Sequence, residues 1–102
     1  MDGDRCYTLE EATALLPEIR RLVAVLQGEH AKGANGSRPP SPEEVLARLE
    51  ELQVPLRDIR LGLVDFPHER DGRRVWLCWM TDEDVIGFWH ETDEGASRRK
   101  PL

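Results

Sequence analysis

The sequence predicts an α+β fold: an antiparallel helical hairpin packed on one face of a small three- to four-stranded antiparallel sheet. Three observations predict it. Two N-terminal segments carry apolar residues at helical spacing, each opened by a capping box. A strong two-residue hairpin turn, Asp71-Gly72, separates two runs rich in branched and aromatic residues. All three Trp and both Phe residues fall within Gly62–Glu91.

The first helix is expected from Leu9 to Gln27. Thr8 and Glu11 form its capping box, and Leu9, Ala12, Leu15, Leu16, Ile19, Leu22, Val23 and Leu26 make its apolar stripe. Pro17 removes a backbone donor inside it and predicts a bend. Residues 28–40 hold three Gly and two Pro without periodicity, which reads as a flexible connection. Ser41-Pro42-Glu43-Glu44 opens a second helix, Pro42 to Gln53, with Val45, Leu46, Leu49 and Leu52 on one face. Val54-Pro55 ends it, because a residue before Pro avoids helical angles. Leu56–Arg60 reads as a further short strand.

Strands are expected at Leu63–Pro67, Val75–Met80 and Val85–His90, with Thr81-Asp82-Glu83-Asp84 as a solvated polar turn. With Asp71-Gly72 as one tip, Val64 faces Trp79, Asp65 faces Cys78, Phe66 faces Leu77 and His68 faces Val75. With Asp82-Glu83 as the other, Trp79 faces Ile86, Cys78 faces Gly87, Leu77 faces Phe88, Trp76 faces Trp89 and Val75 faces His90. Alternation then sorts the side chains. One face carries Val64, Phe66, His68, Val75, Leu77, Trp79, Ile86, Phe88 and His90, and is the core face. The other carries Leu63, Asp65, Pro67, Trp76, Cys78, Met80, Val85, Gly87 and Trp89. A one-residue slip would mix the two sets.

At 102 residues the chain is read as one domain: a helical hairpin over 7–53, a sheet over 54–94 and a basic tail over 95–102. The net charge of −6 argues against a nucleic-acid backbone as main partner. No apolar run reaches membrane-spanning length, and the N-terminus lacks a secretory pattern. Cys6 and Cys78 lie far apart with no CxxC, and read as reduced thiols of a cytoplasmic protein.

The stretches Leu63-Val-Asp-Phe-Pro67, Leu77-Cys-Trp79 and Trp89-His-Glu91 resemble a bacterial family catalogued as domain of unknown function 2203. The likeness extends to Tyr7–Ala12, Leu15-Leu-Pro17, Asp71-Gly-Arg73, Gly87, Gly95 and Arg99–Leu102, and departs within residues 28–40. The resemblance implies no established activity, cofactor or catalytic residue.

Four constellations carry chemistry. Asp65 beside Cys78 suits a general acid or base, while the plainer reading is a hydrogen-bonded structural carboxylate paired with Arg99 of the tail. Cys78 as nucleophile needs a base, and this register puts no His on its face. His68 and His90 share a row and invite a zinc reading, a weak signal without HxxH or CxxC spacing. Trp76 and Trp89, with Met80, a dimple at Gly87 and Arg99, form an apolar surface suited to a ligand or a second copy of the chain. These features favour a non-enzymatic binding or self-assembly module, a homo-oligomer without a predicted cofactor. The alternatives are a small-molecule enzyme or sensor using Asp65, and a metal-binding protein using His68 and His90.

Overall fold

The computed structural model describes residues 5–28 and 40–102. The connection expected over 28–40 therefore lies, for residues 29–39, outside the described residues. Helix α1 spans Leu9–Leu26 and α2 spans Pro42–Leu52. Both open with the expected reciprocal caps, Thr8 with Glu11 and Ser41 with Glu44. α1 runs on through Pro17. Gln53 closes α2 in the left-handed conformation (φ 60°).

The sheet has five strands rather than three or four, in the order β1-β2-β3-β4-β5, with antiparallel neighbours. β1 is Leu56–Asp58, β2 Leu63–Arg70, β3 Arg73–Trp79, β4 Phe88–Glu91 and β5 Lys100–Pro101. The last strand comes from the stretch expected to be a simple tail. A 3₁₀ turn, Ala96–Arg98, precedes it.

The first hairpin has the expected register, with Asp65 opposite Cys78 and Phe66 opposite Leu77. Its tip takes positive φ at Asp71 (53°) and Gly72 (74°), as a two-residue turn between twisted strands requires.

The second hairpin is one residue out of the expected register. Leu77 faces Trp89, Trp76 faces His90 and Cys78 faces Phe88. The strand expected from Val85 begins at Phe88, and Val85 is exposed. The cause is the connection. Asp82-Glu83 is not a tip but part of a longer folded loop held by specific bonds. The Met80 amide donates to Glu83 Oε1 at 3.0 Å, and Trp79 Nε1 donates to the Glu83 carbonyl at 3.0 Å. Arg20 of α1 donates to the Thr81 and Glu83 carbonyls. A slip of one residue moves every β4 side chain to the opposite face.

The core follows from that slip. Ala12, Leu16, Ile19, Leu22 and Val23 of α1 join Val45, Leu49 and Leu52 of α2 in one buried cluster. Tyr7, Val54, Val64, Phe66, Val75, Leu77, Trp79, Ile86 and Trp89 complete it. Trp89, expected on the outer face, is thus a core residue. Each Val, Leu, Ile or Phe side chain buried there contributes about 1.5–3 kcal/mol relative to exposure. Arg48 of α2 donates from Nε to Glu18 of α1 at 2.7 Å, and this bond holds the Glu18 carboxyl below its ordinary range. Tyr7 ties the lead-in segment down: its hydroxyl donates to the Leu52 carbonyl, its amide to the Pro67 carbonyl. Among the described residues, no helix is long and apolar enough to cross a membrane.

Candidate functional site

On the sheet face away from the core, three adjacent strands bring Asp65 (β2), Cys78 (β3) and His90 (β4) together. Asp65 and Cys78 are a directly opposed pair, and His90 stands opposite Trp76, two residues along β3 from Cys78. One ligating atom from each lies within 4.8 Å of the other two, and all three residues are buried. The register slip makes this cluster: it carries His90 off the expected core face onto the face of Asp65.

Each member has a further polar partner outside the cluster. Asp65 Oδ1 meets His90 Nε2 at 3.1 Å, while Asp65 Oδ2 accepts from Arg57 Nε at 2.9 Å. His90 Nδ1 lies 2.9 Å from the Glu91 carbonyl oxygen. A carbonyl can only accept, so Nδ1 carries a hydrogen and Nε2 is the atom left for Asp65. A single proton therefore lies between Nε2 and Oδ1. Cys78 Sγ has Arg99 Nη1 at 3.9 Å. Among the described residues no buried side-chain nitrogen or oxygen lacks a hydrogen-bond partner.

Arg57, not Arg99, is the cation that pairs with Asp65. It sits in β1, where a bulge between Leu56 and Asp58 interrupts the ladder, and its guanidinium lies 5.0 Å from the Trp76 ring centroid. Arg99 instead grips Glu83 through two bonds, 2.7 and 3.3 Å, and lies 3.9 Å over the Phe88 ring. Glu83 is thus half-buried and paired rather than solvated.

The remaining sequence expectations sort by face. Trp76 and Trp89 do not stack on each other, because they lie on opposite sides of the sheet. Trp76 is half-buried under Arg57, and Trp89 has Arg70 and Lys100 over its ring, 4.5 and 4.8 Å from the centroid. His68 and His90 are likewise separated by the sheet, so they cannot share a metal ion. His68 Nδ1 donates to the Tyr7 carbonyl at 2.7 Å, a structural bond. Gly87 stands outside the row of Asp65 and Cys78, in the loop before β4, where its carbonyl accepts from the Leu102 amide. Met80 is half-buried at the end of β3 and Val85 stands in solvent.

After β4 the chain turns back beside this face. Arg57, Leu63, Asp65, Thr92, Asp93, Glu94, Gly95 and Ala96 wall a recess of about 400 Å³, whose inner wall is Asp65. Two larger apolar grooves, about 540 and 680 Å³, are lined by none of the cluster residues.

Burial pushes the Cys78 thiol up to about 11, with the nearby Asp65 charge adding to it and Arg99 partly offsetting it. His90 Nε2 is turned to Asp65 as well, so the thiol has no activating base in hand. The expected result is that native protein at pH 8 shows one fast-reacting thiol, the exposed Cys6, and releases Cys78 only on denaturation. Two equally fast thiols in a disulfide-exchange assay with native protein would contradict this burial.

A family model described as an uncharacterised conserved protein, DUF2203, matches residues 40–102, more than half of the chain. The chain belongs to the DUF2203 family. No curated protein and no solved structure matches it. The DUF2203 match covers all five strands, and with them Arg57 and the whole Asp65, Cys78 and His90 cluster. Each of the stretches Leu63–Pro67, Leu77–Trp79 and Trp89–Glu91 supplies one member of the cluster. Sequence reasoning missed Arg57, and it named His90 only as a partner of His68 on the core face rather than of Asp65 and Cys78. The convergence of these three stretches was the signal available for His90.

Proposed function

We propose that this DUF2203 member is a non-enzymatic binding module, with its binding element on the outer sheet face around Asp65, His90 and Arg57. The observation that carries the reading is the gradient of burial across one connected network. Asp65 and His90 side chains are 3% and 2% exposed, while Arg57, bonded to Asp65, is 44% exposed. A buried anchor is thereby linked to an accessible cation at the wall of a recess. The Arg57 Nη atoms make no hydrogen bond among the described residues, so they stand available to a small polar ligand. Binding rather than turnover is favoured because His90 Nε2 engages Asp65 and not the thiol, so the cluster lacks the nucleophile–base contact of covalent catalysis.

The test is a fragment library of small polar acids and amides, read by amide chemical-shift changes in the full chain. Hits should move the resonances of Arg57, Asp65 and Gly95, and Arg57→Met, shown to be folded by its own amide spectrum, should abolish them. Hits confined to the apolar groove at Leu46, Leu49 and Pro55, or no hits, would overturn this placement of the binding element.

A further inference from the structure

We infer that the Asp65, Cys78 and His90 cluster is a binding site for a divalent transition-metal ion of zinc's class, and this rests on the reading of the outer face as a binding element. The cluster supplies one oxygen, one sulfur and one nitrogen within 4.8 Å of one another, all buried. Donor atoms about 2.0–2.3 Å from a tetrahedral zinc stand about 3.3–3.8 Å apart, so closing the set needs inward movement of about 1 Å. Mixed N, O and S donors from three protein ligands are a set zinc and cobalt accept, with a fourth position left for water or a ligand. Of the three, Asp65 also lines the recess beside Arg57.

The Asp65 and His90 ligating atoms are each oriented by a partner on the other polar atom of the same group, and Cys78 Sγ has a guanidinium nitrogen 3.9 Å away. His90 Nδ1–H is fixed on the Glu91 carbonyl, which leaves Nε2 forward. Arg57 occupies Asp65 Oδ2, which leaves Oδ1 forward. Arg99 lies at Cys78 Sγ, where a guanidinium favours a thiolate. Secured ligands of this kind are the outer-shell pattern of metal sites. They also stand on the three central strands of the sheet, which fixes their backbone positions.

The charge balance closes as well. Binding an M²⁺ ion releases two protons, the one between Asp65 Oδ1 and His90 Nε2 and the one on the Cys78 thiol. Three metal–ligand bonds form, one hydrogen bond is replaced, and no oxidant or reductant is needed. The two positive charges of the ion take the place of two protons, so the net charge of the buried cluster does not change. The flanking Arg57 and Arg99 then meet the same total charge as in the metal-free protein, and they do not oppose the ion as they would an uncompensated cation.

The experiment is a Co(II) titration of the full chain after chelator treatment, in wild type, Cys6→Ser and Cys78→Ser, followed by absorption. Wild type and Cys6→Ser should show a one-to-one thiolate-to-cobalt charge-transfer band with visible d–d bands of tetrahedral intensity, and Cys78→Ser should lose the charge-transfer band. Where Cys78→Ser does not fold, wild type should still show one exchangeable hyperfine-shifted proton, the His90 Nδ1–H held on Glu91. A band lost in Cys6→Ser but kept in Cys78→Ser would place cobalt on the exposed thiol and overturn the inference. Folded wild type without any band would overturn it too. If cobalt fails while Arg57-dependent fragment binding persists, the metal site falls and the binding-module reading stands. Cobalt binding without fragment binding would overturn the Arg57 recess and leave the metal site.

Discussion

Ile19→Asp is expected to abolish cooperative unfolding, while Arg21→Asp, two residues further along α1, leaves a melting transition close to wild type. Ile19 is wholly buried within the cluster that joins both helices to the sheet, and Arg21 is exposed. Removing a large aliphatic side chain from such a site costs about 2–5 kcal/mol. Burying a carboxylate in its place, among apolar side chains, adds several more. Domains of this size hold about 5–15 kcal/mol in all, so one substitution can consume it. Circular dichroism melts of the two variants decide the matter. Equal midpoints would mean that α1 does not bury this face against the sheet.

The second large effect is an asymmetry at the outer face. Asp65→Leu alone leaves a buried His90 facing an aliphatic group, and His90→Leu alone leaves the carboxylate with Arg57 as its one ionic partner. Breaking one side of a buried pair costs about 3–5 kcal/mol. Replacing both by leucine removes the donor and the acceptor together, and the double variant should be the more stable of the three. Arg57, 44% exposed, can then turn to solvent. Chelator-treated protein in a denaturant titration isolates this from any metal effect. Strictly additive losses would show that Asp65 and His90 do not act as a pair.

The same pair marks where the sequence was readable. The first hairpin was legible because Asp71-Gly72 fixes both the turn and the parity of its strands. The second was not. Its parity depends on how residues 80–87 fold, and that is decided by contacts from far along the chain. Arg20 of α1 bonds the Thr81 and Glu83 carbonyls, and Leu102 bonds Gly87. Gly62, at φ 61°, leaves space for Thr81, whose side chain lies 2.5 Å from where a Cβ would stand. None of these has a local signature. Half of the candidate site, Asp65 opposite Cys78, followed from the legible hairpin. The other half, His90 and Arg57, depended on the illegible one and on a bulged edge strand too short to show alternation. The helices were legible to within a residue at their ends, because capping boxes and apolar stripes are local.

The two borders of the sheet have a consequence for how copies of this chain can meet. β1 follows Pro55 directly and is broken by a bulge after one paired residue, while β5 is two residues long and one of them is Pro101, which has no amide hydrogen to offer. Lys100 adds a charge beside it. Short, kinked, proline-bearing and charged borders are poor templates for a further strand. Extension of the sheet from molecule to molecule is therefore disfavoured at both borders. Contacts between copies of this chain would fall to side-chain surfaces rather than to backbone ladders.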